Sequence, residues 1–65
     1  MRILVNSEQV DVDTSNLREI LEQLGYQPED IVVARNLEFI PRTQWDDCIV
    51  NEQDSLDILA AMFGG

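Results

Sequence analysis

Two glycines, Gly64 and Gly65, stand at the end of the 65-residue sequence, directly after the apolar run Ile58 to Phe63. A C-terminal Gly-Gly offers one distinctive chemistry: with no Cβ on either residue, an extended tail can thread a narrow channel and present its carboxylate to a reagent held inside another protein. Residues 61–65, if extended, span about 17 Å, enough to pass from a docked surface into a buried site. The pair alone is a weak signal, because chain ends are commonly mobile whatever their role. Its weight depends on what else in the chain could react.

Little else could. The sequence has no histidine and no lysine. It therefore lacks the usual general base, the commonest metal ligand, and any side chain able to form a Schiff base or carry an isopeptide-linked chain. The single cysteine, Cys48, follows Asp46 and Asp47, and neighbouring carboxylates oppose thiolate formation. A structural thiol and a solvated Asp-Asp turn are expected there, and no catalytic residue is assigned. The stretch "DVDTSNLREILE" sets Asp11, Asp13, Ser15 and Glu22 at positions 1, 3, 5 and 12 of a calcium loop. Asn16 occupies the position that requires glycine, and a helix starting near Asn16 would consume the second half, so no metal site is expected. By elimination, the chemistry moves to the carboxylate of Gly65.

Composition sets further limits. Thirteen acidic residues against four basic ones give a net charge of −9, a surface that phosphate backbones repel and a basic protein partner attracts. Nucleic acid is excluded as a partner. No apolar run approaches the roughly 18 residues of a membrane span, and a lone cysteine forms no internal disulfide. Met1 leads into strand-like sequence without the sections of a signal peptide, so a cytoplasmic location is expected.

The elements that must position the tail are readable from periodicity. "RILVNSEQVDV" alternates on both sides of a polar turn at Asn6 to Glu8 and predicts a hairpin. Leu17, Ile20, Leu21 and Leu24 mark one face of a helix of about nine residues, with Asn16 and Glu19 as a capping box and Gly25 as a left-handed stop. "IVVAR" predicts a buried strand, "EFI" a short one ended by Pro41, and residues 43–54 an irregular connection anchored by Ile49 and Val50. The final strand alternates: Leu56, Ile58, Ala60 and Met62 share one face, Asp57, Leu59, Ala61 and Phe63 the other. If the first set packs under the helix, Leu59, Ala61 and Phe63 form an exposed apolar patch suited to docking a partner.

This order of elements predicts an α+β fold, a β-grasp or ubiquitin-like roll: a mixed sheet of four to five strands with one main helix across one face. The first and last strands would be central parallel neighbours, joined by a long crossover that contains the helix. Residues 1–63 would form the domain, and 64–65 a flexible tail.

"VVARNLEFIPRTQW", then Asp54, an alternating strand and the final Gly64-Gly65, resembles the ThiS family of sulfur carriers of thiamin biosynthesis. Asn36, Glu38, Phe39, Ile40, Pro41, Arg42, Thr43, Trp45, Asp54, Gly64 and Gly65 follow the family pattern. Two residues depart from it, Leu37 and Gln53, where the pattern has turn glycines; a Cβ is disfavoured at positive φ, which predicts wider turns at both places.

The resemblance implies that a ubiquitin-activating-like adenylyltransferase of ThiF type uses ATP and Mg²⁺ to adenylate Gly65, the chain itself binding no cofactor. Sulfur from a cysteine desulfurase, direct or relayed, would convert Gly65 to a thiocarboxylate, and thiazole synthase of ThiG type would receive it. The small subunit of molybdopterin synthase, also a Gly-Gly sulfur carrier, is the nearest alternative, although it lacks the Pro-Arg-Thr-x-Trp segment. A protein modifier conjugated through Gly65 and a pure interaction domain are two further alternatives.

Overall fold

The computed structural model describes residues 1–60. Its elements run β1 (Arg2–Val5), β2 (Glu8–Asp11), α1 (Leu17–Gln23), β3 (Ile31–Arg35), β4 (Glu38–Ile40) and β5 (Ser55–Ala60), with 3-10 turns at Pro28–Asp30 and Arg42–Asp47. The five strands form one mixed sheet in the order β2-β1-β5-β3-β4. β1 and β5 are parallel, and the other pairs are antiparallel. The expected central pair is present, and α1 belongs to the crossover between its two strands. This is the β-grasp.

Local chemistry sets the ends of α1. Asn16 Oδ1 accepts the Glu19 backbone N–H at 3.1 Å, while the reciprocal arm of the capping box runs through a relay. Glu19 Oε1 accepts from the Thr14 hydroxyl, and Thr14 Oγ1 accepts the Asn16 N–H. At the other end Gly25 has φ +86, and the N–H groups of Gly25 and Tyr26 return to the carbonyls of Glu22 and Leu21. These two bonds form a Schellman motif. They stop the helix at seven residues, two short of expectation.

Leu17, Ile20 and Leu21 on α1 cover Ile3, Val5, Val33, Ile40, Leu56 and Ile58 on the sheet, and Val12, Trp45 and Val50 close the ends of the core. With one helix there is one covered face. "IVVAR", expected to be buried, is therefore fully buried only at Val33, and Val32 and Ala34 are half-exposed on the other face. In the long connection, Val50 is buried but Ile49 is exposed. The anchor is one side chain, supported by the Val50 N–H bond to the Ser15 carbonyl at 2.7 Å.

The turns overturn a second expectation. Asn36 and Leu37 join β3 to β4 as a two-residue loop with φ +50 and +71, and Arg35 pairs with Glu38 on either side. Positive φ at both central residues matches the twist of the flanking strands. Gln53 likewise sits at φ +72 in the tight 51–54 turn, closed by the Asp54 N–H on the Asn51 carbonyl. Neither turn widens, because Asn36 and Asp54 are each fixed to other parts of the sheet, as set out below.

Leu37 thus bears strain with no compensating burial, being 89% exposed. An L-residue at positive φ costs about 1–2 kcal/mol and a glycine's added chain freedom about 0.5–1. Leu37→Gly should therefore raise the urea midpoint, with a gain of up to about 1 kcal/mol. A midpoint lower than wild type would contradict the strain.

Among the described residues, no helix is long and apolar enough to cross a membrane.

Candidate functional site

The residue assigned the chemistry, Gly65, and its neighbours Ala61, Phe63 and Gly64 lie outside the described residues, as does the boundary between domain and tail. What the structure places is the root of that segment, and it is held on both sides. Toward β3, strand β5 stays in register through Ala60, which pairs with Ile31. Toward β1, the ladder ends early because β1 turns away at Asn6.

The side chain of Asn6 continues the pairing in place of a strand. Its Nδ2 donates to the Ile58 carbonyl at 3.1 Å, its Oδ1 accepts the Ile58 N–H at 2.8 Å, and its own backbone N–H donates to Leu56. An amide side chain has the donor and acceptor of a peptide group, so it replaces one residue of the missing ladder. This leaves no orphaned backbone group at Ile58.

The start of β5 is fixed by a second amide. Asn36 brackets Ser55 with its backbone N–H on the Ser55 carbonyl (2.7 Å) and its Oδ1 on the Ser55 N–H (3.0 Å). Its Nδ2 donates to Asp54 Oδ1, while Asp54 Oδ2 accepts from the Asn51 N–H and pairs with Arg35 Nε at 3.1 Å. Arg35 also donates to the Ile49 carbonyl and approaches Cys48 Sγ at 3.7 Å. The Cys48 side chain first, and then attraction to Asp54 and Glu38 against burial, hold the Arg35 guanidinium above its already high ordinary pKa. Arg35 remains a cation at any physiological pH.

Sequence reasoning placed Asn36 and Asp54 in turns but did not foresee these bonds, and it missed Asn6 and Arg35. An asparagine in a two-residue turn is fully explained by its tolerance of positive φ. Only the fold shows what its amide reaches. Asp46 lies in an exposed 3-10 turn, as expected, and from there also pairs with Arg18 and offers its carbonyl to Asn16 Nδ2.

On the face of the sheet opposite α1, Leu59 is 61% exposed, as the alternation predicted. Cross-strand pairing sets it beside Val32 and sets Ala34 between Phe39 and Asp57. Phe39, also 61% exposed, was not foreseen in this patch. Short strands flanking a tight turn gave no indication of which face β4 would present. Alternation weakens at the end of β5, where Ala60 is exposed instead of buried; among the described residues the core ends at Ile58.

Comparison with known proteins gives this geometry a context. The ThiS family model matches residues 1–65, the whole chain. The chain belongs to the ThiS family.

Among solved structures, that of thiamine biosynthesis protein ThiS from Geobacter metallireducens is 32% identical, with a TM-score of 0.85 and full coverage of both chains. The sulfur carrier protein ThiS of Escherichia coli K12 is 30% identical over 66 residues, also covering both chains completely. The sulfur carrier protein TtuB of Thermus thermophilus is 45% identical over 49 residues, covering 75% of this chain and 69% of that one. A thiazole synthase of Paramagnetospirillum magneticum is 32% identical over 66 residues, all of this chain but 20% of that protein. The chain thus spans about a fifth of one relative and the full length of another. Its family is that of the sulfur carriers of thiamin biosynthesis.

Proposed function

We propose that the chain carries sulfur on the carboxylate of Gly65 and delivers it for formation of the thiazole ring of thiamin. The observation that carries this reading is the full-length match to a family of sulfur carriers, running through Gly64-Gly65. The β5 root, fixed by Asn6 and by β3, supports it as a rigid base for a reaching tail. A region similar to this chain within a thiazole synthase supports that enzyme as the sulfur acceptor.

A carboxylate is a poor electrophile, so activation comes first. A ubiquitin-activating-like adenylyltransferase would hold ATP and Mg²⁺, and a Gly65 oxygen would attack the α-phosphorus. Pyrophosphate leaves, and an acyl adenylate forms. A persulfide supplied by a cysteine desulfurase, directly or through a relay, attacks the acyl carbon and expels AMP, giving an acyl disulfide. A second thiol then attacks the cysteine sulfur of that acyl disulfide, forming a new disulfide with it and releasing the Gly65 thiocarboxylate, which keeps the transferred sulfur. Catalytic groups come from the partners, and the chain supplies the carried group and a surface to hold. The open face with Leu59, Val32 and Phe39 is that surface.

Intact-mass analysis tests the proposal. After incubation with the adenylyltransferase, ATP, the desulfurase and a thiol, the chain should gain the mass of one oxygen replaced by sulfur. An unchanged mass, under conditions that convert an established carrier, would refute the proposal.

A further inference from the structure

Arginine is the only basic side chain in the sequence, at four positions, and three of the four are occupied. Arg2 pairs with Asp11, Arg18 with Asp46 and Arg35 with Asp54. Arg42, among the described residues, has no carboxylate in ion-pair range, although the chain carries 13 acidic residues. A cation left uncompensated on a strongly acidic protein needs an explanation, and its surroundings suggest one.

Arg42 lines an open cleft of about 420 Å³ together with Ile31, Val32, Phe39, Ile40 and Trp45, and with Pro28 and Glu29. The cleft exists because β4 stops at Ile40 and Pro41, leaving the first part of β3, Ile31 and Val32, without a neighbour on that side. Two features tie it to the tail. Val32 and Phe39 belong to both the cleft and the open apolar face, so the two surfaces are continuous. Ile31, in the cleft wall, pairs with Ala60, the last described residue before the tail. Whatever occupies this cleft lies at the tail's root.

We infer that the cleft docks a segment of the partner protein that receives the tail, one in which an Asp or Glu side chain is flanked by apolar side chains, with Arg42 binding the carboxylate. This rests on the carrier reading and adds to it the chemistry of the partner. The planar guanidinium suits bidentate carboxylate binding, and the apolar lining strengthens that pairing by excluding water. With a net charge of −9, the rest of this surface favours a basic partner and repels an acidic side chain. An acidic side chain on the partner is thus tolerated opposite Arg42 and penalised elsewhere, which fixes the docking register. Glu29, in the same lining, disfavours a second acid and narrows the fit further.

The test titrates the full-length chain against the adenylyltransferase and against thiazole synthase by calorimetry, for wild type, Leu59→Asp, Arg42→Ala, Arg42→Lys and Arg42→Glu. Arg42→Ala should weaken binding to at least one partner by about 10- to 30-fold. Arg42→Glu should weaken it more and Arg42→Lys less, with thermal midpoints unchanged because the side chain is exposed. Arg42→Ala should also flatten the salt dependence of binding. If wild type binds neither partner, the carrier reading fails and this inference with it. If wild type binds, Leu59→Asp weakens it and every Arg42 variant matches wild type, this inference alone is overturned. It is also overturned if Arg42 variants bind more tightly, the result expected of a cleft occupied by residues 61–65. A change in self-association with partner affinity intact, the mark of a second copy in the cleft, would overturn it too.

Discussion

Deleting Gly65 should abolish sulfur transfer and leave the unfolding midpoint where it was. The two halves of this result have separate causes. For stability, the core among the described residues consists of twelve side chains, the last of them Ile58. Strand β5 is fixed by Asn36 at its start, Asn6 at Ile58 and β3 along its length. For reactivity, the deletion leaves a chemically equivalent carboxylate on Gly64, so the group itself is not lost. What changes is reach: the new terminus falls about 3.4 Å short of the old one. Reacting atoms must approach to about 3–3.5 Å, and a misplacement of about 1 Å can cost 100-fold in rate. With the docking surface fixed, the shortened tail cannot recover that distance by sliding the domain forward. Single-turnover conversion followed by intact mass, with circular dichroism of the same samples, checks both halves. Transfer at the wild-type rate would show that the reactive position is set by something other than tail length.

The parts of this fold that the sequence revealed share a property: each rests on residues close together in the chain. Leu17, Ile20 and Leu21 mark a helix face through a local period, and Asn16 and Gly25 mark its ends through local backbone chemistry. The alternation in "SLDILA" assigned Leu59 to the open face for the same reason. From the order of those elements, the parallel β1–β5 pair followed by the general rules of crossover connections. The tail glycines became informative only when the absence of other reactive groups and the "NLEFIPRTQW" segment were considered with them.

What stayed hidden depends on contacts across long sequence separations. Asn6 reads as a turn residue, and its use as a surrogate strand for Ile58 appears only when residues 52 positions apart meet. Arg35 reads as a strand end, yet it braces Asp54, Ile49 and Cys48. The turns at Leu37 and Gln53 were expected to widen because a local rule disfavours their backbone. Tertiary bonds from Asn36 and Asp54 outweigh a local penalty of about 1–2 kcal/mol each. Arg42 is the clearest case. Its meaning lies in being the one arginine without a carboxylate among the described residues, which no reading of "PRT" in isolation can show.

Trp45→Ala should leave the chain largely unfolded at 37 °C. The indole is 1% exposed, its Nε1 donates to the Ile40 carbonyl at 3.0 Å, and the Arg18 guanidinium lies 5.9 Å from its ring centroid while paired to Asp46. One side chain therefore joins the 42–47 turn, the end of β4 and helix α1. Truncating a buried tryptophan to alanine costs about 3–5 kcal/mol through lost transfer and cavity formation. Leaving the Ile40 carbonyl without its donor adds about 1–3 kcal/mol wherever water cannot replace it. A domain of this size has roughly 3–10 kcal/mol in total, so the change consumes most of its stability. Trp45→Phe keeps much of the apolar volume and forfeits mainly the hydrogen bond, so its loss should be about 1–3 kcal/mol. Urea titrations followed by circular dichroism should rank wild type above Trp45→Phe and Trp45→Ala far below both. A near-native midpoint for Trp45→Ala would mean that the cavity collapses at little cost. Because Trp45 also lines the Arg42 cleft, its variants would lose partner binding through unfolding alone. Arg42, exposed at the same cleft, can be changed without that confusion, so docking is to be probed there and stability at Trp45.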